Sequence, residues 1–145
     1  MSHTPQTAPR PTALVTGASG GIGEAIARQL AARHMDLILT ARSADRLHDL
    51  ATDLSTRHGI QAHVVPLDLA RQDAADTLEQ HVRALGLTVD VLVNNAGFAD
   101  YGEFHTLERA RQLEMIQVNV SVLTDLTHRF LPGICLLYTS PSPRD

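Results

Sequence analysis

Short apolar runs alternate with amphipathic stretches along this chain of 145 residues. Thr12–Thr16 (TALVT) is nearly all apolar and of strand length. After it, Ile22, Ala25, Ile26 and Leu30 recur at helical spacing to about Arg33. Residues 36–40 (DLILT) predict a second strand. Ser43 stands as the N-cap of a helix whose face is Leu47, Leu50, Ala51 and Leu54, with Gly59 as its stop. Residues 62–67 predict a third strand. Ala74, Ala75, Leu78, Val82 and Leu85 mark the next helix face, and residues 89–95 a fourth strand. Residues 98–105 read as loop. From a cap at Thr106 a long helix is expected to about Leu131, where Pro132-Gly133 ends it.

The predicted order is β-α-β-α-β-α-β-α. Strands apolar on both faces, alternating with helices, predict an α/β fold: a parallel sheet covered on both sides. Right-handed crossovers leave few topologies, of which strand order 3-2-1-4 is the natural one. Ligands of such sheets bind at the switch point, here between the first and fourth strands.

Composition narrows the function. Hydrophobic residues make up 43% and charged residues 19%, as in a folded domain. A net charge of −4 and a pI of about 6.0 give no basic patch for nucleic acid. One cysteine supplies neither a disulfide framework nor a zinc site, and the eight histidines are scattered singly, so no metal is expected. The N-terminal MSHTPQTAPRP lacks the apolar core of a signal peptide, and no apolar run has membrane-spanning length. No membrane partner and a cytoplasmic location are therefore expected. All twelve basic residues are arginine; lysine is absent.

The segment TGASGGIG, from Thr16 to Gly23, joins the first strand to the first helix. Glycines there allow a sharp turn, a close approach of backbone to a pyrophosphate, and tight packing of helix on strand. Free N–H groups at the helix start, around Gly20, Gly21, Ile22 and Gly23, suit phosphate. A tight turn without a ligand would use the same glycines. The spacing is G-x-x-x-G-x-G, on Gly17, Gly21 and Gly23.

Three further motifs stand in order: Asp68-Leu69 after the third strand, NNAG from Asn94 to Gly97 after the fourth, and VNV from Val118 to Val120 in the long helix. With these the chain resembles the N-terminal part of the short-chain dehydrogenase/reductase family, over about residues 12–132. The resemblance implies a Rossmann-type doubly wound sheet and hydride transfer between a nicotinamide and a small carbonyl or alcohol. It also implies that Asp68 bonds the adenine amino group with help from the Leu69 backbone; taken alone, Asp68 reads equally as a turn residue at a strand end. Asn94, Ala96 and Gly97 would line the adenosine ribose side, while Asn95 ties the fourth strand to its neighbours. Residues 107–131 would help form a homo-oligomer.

The second strand leads into Arg42, where a chain selecting NAD would carry a carboxylate for the ribose 2′-hydroxyl. An arginine fork suits a 2′-phosphate, with the Ser19 hydroxyl on the same side. NADP(H) is therefore expected over NAD(H); a solvated surface Arg42 is the alternative. Asn119 interrupts the apolar MIQVNVSVL. By resemblance it supports a proton-relay water and is the catalytic candidate of this chain; the alternative is a buried asparagine satisfied by backbone.

The family's proton donor is a tyrosine with a lysine four residues later, which lowers its pKa. Tyr101 is followed at that spacing by His105 and Tyr138 by Ser142. Without lysine the pair cannot occur in this chain. Three classes remain: an oxidoreductase represented by its cofactor half, a non-catalytic NAD(P)-binding module, and an extended relative such as a sugar-nucleotide epimerase. NNAG favours the first over the third.

Residues 1–11 are expected as a disordered arm and residues 12–134 as the cofactor domain. The final CLLYTSPSPRD, residues 135–145, resembles a translated transposon-end sequencing adapter, so the native reading is expected to break after Ile134.

Overall fold

The computed structural model describes residues 8–135. Most of the N-terminal arm and, Cys135 apart, the adapter-like tail lie outside the described residues. Four parallel strands, β1 (Thr12–Thr16), β2 (Asp36–Ala41), β3 (Ala62–Pro66) and β4 (Val91–Val93), form one sheet in the order β3-β2-β1-β4. Helices α1 (Gly21–Ala32), α2 (Ala44–His58) and α3 (Ala74–Ala84) connect them. After β4 come a 3-10 turn (Phe104–Thr106), α4 (Arg109–Ile116), a π-helical segment (Gln117–Ser121) and α5 (Val122–Cys135).

The two-residue period of a strand sends alternate side chains to opposite faces. Ala13, Val15, Leu37 and Leu39 face α1 and α2, with Ala27, Ala31, Leu47 and Leu54, all fully buried. Leu14 and Ile38 face the other side, with Leu78, Val82, Val122, Leu126 and Phe130 from α3 and α5. Arg129 pins α5 to α3 through Asp76 and Glu79, and is itself held by Asp125 on its own helix.

Several sequence expectations are corrected in detail. On α1 the buried face is Gly23, Ala27 and Ala31, whereas Ile22 is 73% exposed and Ala25 is exposed. The helix approaches the sheet so closely that only small residues fit between them; Ile26 and Leu30 flank the contact half-buried. Leu85 is not on the buried face of α3 but at its C-cap, 44% exposed. The expected helix from Thr106 begins instead at Arg109, and Thr106 closes the 3-10 turn by donating its hydroxyl to the Glu103 carbonyl at 2.8 Å. Pro132-Gly133 does not end α5, which continues to Cys135. Pro132 has no N–H to offer the carbonyl of His128 and its ring crowds that carbonyl, a disturbance confined to the last turn of α5. Ser43 is the N-cap of α2 by position, without a side-chain capping bond, and Gly59 ends the helix with φ +66°.

β4 is shorter than its apolar run. Its ladder pairs Ala13, Leu14 and Val15 with Val91, Leu92 and Val93 and stops there. Thr16 then replaces ladder with side chain: its hydroxyl accepts from the Asn95 and Ala96 N–H groups, at 3.0 and 2.9 Å, and donates to the Val93 carbonyl at 3.3 Å.

Candidate functional site

A cleft of about 510 Å³ opens at the C-terminal ends of the strands, beside the β1–β4 switch point. Its floor is the β1–α1 turn. Gly17 has φ +67°, and a Cβ there would stand 2.8 Å from Asn95 Nδ2 and 3.0 Å from Ala96 Cα. A Cβ on Gly23 would overlap the Gly17 carbonyl oxygen. At Gly17 and Gly23 the turn is thus folded against the β4 end with no room for side chains, and Asn95 binds it there: Nδ2 donates to the carbonyls of Thr16 and Gly17 at 3.1 and 3.2 Å.

Of the residues singled out in the sequence, Gly17, Ser19, Arg42, Asp68, Leu69, Ala96 and Gly97 line this one cleft. Gly20 borders an adjoining cavity with Ser19. Gly21 and Ile22 open α1, and Gly23 lies buried beneath them. Asp68 accepts from its own turn, Ala70 N–H to Oδ1 at 2.9 Å; among the described residues Oδ2 has no partner.

Two sequence candidates face elsewhere. Asn94 donates from Nδ2 to Thr127 Oγ1 at 2.9 Å and borders a small interior void, not the cleft. The Asn119 carboxamide grips the backbone of one residue: Oδ1 accepts from Phe98 N–H at 3.0 Å and Nδ2 donates to the Phe98 carbonyl at 2.8 Å. The side chain is half-buried and bound to backbone at both ends. The clamp sits in the middle of the π segment, Gln117–Ser121.

The sequence reading passed over four contributors. Thr16 is the hub that ends β4. Phe98 forms part of the cleft wall, with the Arg111 guanidinium stacked 4.0 Å from its ring centroid and paired to Glu114 at 3.0 Å. Arg46, one helical turn after Arg42, also lines the cleft. Each had a weak signal: a polar residue closing an apolar strand, an aromatic after a glycine, and cations at helical spacing from a candidate site. Nearby, Arg57 and then Arg28 hold the Asp53 carboxyl below the usual carboxylate range, so those two arginines are engaged. Among the described residues no cluster of potential metal ligands occurs, and no helix is long and apolar enough to cross a membrane.

A glycine turn at a strand–helix junction, an arginine beyond β2 that makes no ion pair among the described residues and a carboxylate beyond β3 with one oxygen engaged in its own turn together fit an extended nucleotide lying across the strand ends. Comparison with known proteins agrees. A family model described as short chain dehydrogenase matches residues 11–136. The chain is 37% identical over 124 residues to the uncharacterized oxidoreductase YmfI of Bacillus subtilis (strain 168), covering 85% of this chain and 50% of that protein. Among solved structures, L-sorbose reductase from Gluconobacter frateurii, complexed with NADPH and L-sorbose, aligns with a TM-score of 0.82 at 30% identity. That match covers 88% of this chain and 49% of the other. An alcohol dehydrogenase from the archaeon Thermococcus sibiricus, complexed with 5-hydroxy-NADP, aligns with a TM-score of 0.79 at 35% identity, covering 87% and 54%. The chain spans about half the length of the relatives it matches.

Proposed function

Because the chain belongs to the short chain dehydrogenase family, we propose that it forms the cofactor-binding part of an oxidoreductase acting on a small carbonyl or alcohol, with NADP(H) rather than NAD(H) as cofactor. The bound nicotinamide gives or takes the hydride. The chain's own residues bind and orient. The backbone from Gly20 through Ile22 to Gly23 receives the pyrophosphate on the positive end of α1. Arg42 and Ser19 hold the 2′-phosphate. Asp68 uses its free Oδ2 for the adenine amino group, with the Leu69 backbone beside it. Ala96 and Gly97 present backbone to the adenosine ribose, and Asn94 contributes by backbone alone, its side chain being bound to Thr127. Asn119 is a positioning residue: with both ends of its carboxamide on Phe98, it holds the wall of the cleft in place.

The observation that carries the cofactor assignment is Arg42, without an ion-pair partner among the described residues, where an NAD-selecting chain would place a carboxylate. The NADPH and 5-hydroxy-NADP complexes of the two solved relatives support it. Arg42→Asp is expected to shift preference from NADPH toward NADH in equilibrium binding. Unchanged discrimination would remove the assignment.

The proton donor is a separate matter. With no lysine, this chain holds no tyrosine–lysine pair, and we assign it binding without turnover. Oxidation of NADPH by the chain in the presence of any ketone would contradict that. The same absence favours a second reading, a non-catalytic NAD(P)-binding module. The genomic DNA beyond the codon for Ile134 separates the two: the oxidoreductase reading requires a frame that continues into a strand bearing serine and then Tyr-x-x-x-Lys. Leu113, Ile116 and Val120 are each about half exposed along α4 and the π segment, and they support a homo-oligomer of the full protein through residues 107–131.

A further inference from the structure

The chain is poor in aromatics, with three phenylalanines, two tyrosines and no tryptophan. Three of those five, Phe98, Tyr101 and Phe104, fall between β4 and α4. Phe98 lines the cleft, whereas Tyr101 is 89% exposed and Phe104 79%. The segment that carries them is braced. Asn119 holds its start through Phe98, and the Thr106 hydroxyl closes its end on the Glu103 carbonyl. Between them, Gln112 Nε2 of α4 reaches the Asp100 carboxylate at 3.5 Å, next to Arg111, which lines the cleft. Tyr101 follows Phe98 by three residues, so its Cα lies within about 10 Å of the cleft wall. Two large rings are thus held out in water beside the cleft. The same segment is acidic. From Phe98 to Glu108 it carries Asp100, Glu103 and Glu108 and no arginine; His105 lies 3.5 Å from Glu103, and Arg109 opens α4.

A dinucleotide laid along the strand ends runs in one direction. Its adenosine half belongs to Arg42 and Asp68, beyond β2 and β3, and its pyrophosphate to the start of α1, beyond β1. The sheet order β3-β2-β1-β4 then leaves the nicotinamide on the β4 side, where residues 98–106 border it. We infer that Tyr101 and Phe104 are specificity-determining residues that hold the body of the substrate, an uncharged carbonyl compound or alcohol with ring-sized apolar substituents. The inference rests on the cofactor reading above and adds the substrate class to it. Aromatic rings with few rotatable bonds cover apolar area at low entropic cost. The neighbouring carboxylates repel an anionic substrate, so carbonyl compounds bearing a carboxylate, sulfonate or phosphate are disfavoured. The same charges disfavour a second copy as the cover for these rings. An isologous contact through this patch would set Asp100 and Glu103 against the same carboxylates on the other copy.

The test needs no turnover. The full chain, saturated with NADPH, is titrated with 2-acetylnaphthalene and with 6-acetyl-2-naphthoate, which differ by one carboxylate, and Kd is read by saturation-transfer NMR. The wild type is expected to bind the neutral ketone about threefold more tightly or better. Tyr101→Ala with Phe104→Ala is expected to weaken that binding about tenfold or more, with NADPH affinity unchanged. Asp100→Asn with Glu103→Gln is expected to remove the preference against the carboxylate. If the wild type does not bind NADPH, the cofactor reading fails and the inference with it. If NADPH binds and the neutral ketone does not, or the double alanine variant binds it as tightly as the wild type, the inference alone is overturned. Equal affinity of the wild type for the two ketones overturns it too. So does a dimer in sedimentation velocity that the double alanine variant loses, because a second copy would then be what covers the rings.

Discussion

The two sides of the cleft are built by different means. On the β2 side, every residue of β2 from Leu37 to Ala41 is buried, and the rim arginines project from a wall held by apolar packing. On the β4 side, the strand has three half-buried residues and α4 has no buried residue. Point contacts hold that side: Thr16 on the Asn95 and Ala96 amides, Asn95 on the glycine turn, Asn119 on Phe98. A packed wall loses contacts and gains a cavity when a side chain is trimmed, whereas a polar clamp leaves an orphaned group when it is cut. The β2 side should therefore respond to loss of volume and the β4 side to loss of hydrogen bonds.

The largest expected effect is on packing. Leu39→Ala in β2 should cost about 3–5 kcal/mol, against roughly 1–2 kcal/mol for Val93→Ala in β4, measured by urea denaturation. Equal costs would erase the contrast. Thr16→Val should cost about 2–4 kcal/mol, because it strands the Asn95 and Ala96 N–H groups. Asn119→Ala should cost about 1–3 kcal/mol by freeing both backbone groups of Phe98, and should weaken NADPH binding as the wall shifts. The smallest effect has the opposite sign. Thr40 lies opposite Thr16 in the β1–β2 ladder, fully buried, and its hydroxyl has no partner among the described residues. Thr40→Val should be neutral or stabilising by about 1 kcal/mol. A destabilised Thr40→Val together with a silent Thr16→Val would invert the account.

The same contrast explains what could be read from the sequence. The four strands, their parallel order and the glycine turn were legible because apolar runs bounded by turn residues leave few alternatives. The face of α1 was misassigned because its contact is made by Gly23, Ala27 and Ala31, which carry little hydrophobic signal. The end of β4 and the π segment were hidden because they depend on bonds between residues far apart in sequence, Thr16 to Asn95 and Asn119 to Phe98. Arg46 was overlooked because a cation on a helix surface ordinarily reads as solvated; only its position on the cleft rim, without a carboxylate partner, sets it apart.

The central claim is that one dinucleotide lies across both sides of this cleft. Amide hydrogen exchange with and without saturating NADPH tests it directly. The account predicts that peptides covering residues 41–46 and 94–98 gain protection together, along with the turn at residues 17–23, with residues 109–116 of α4 little changed. Protection of only one of the two segments, or binding that protects neither, would contradict it.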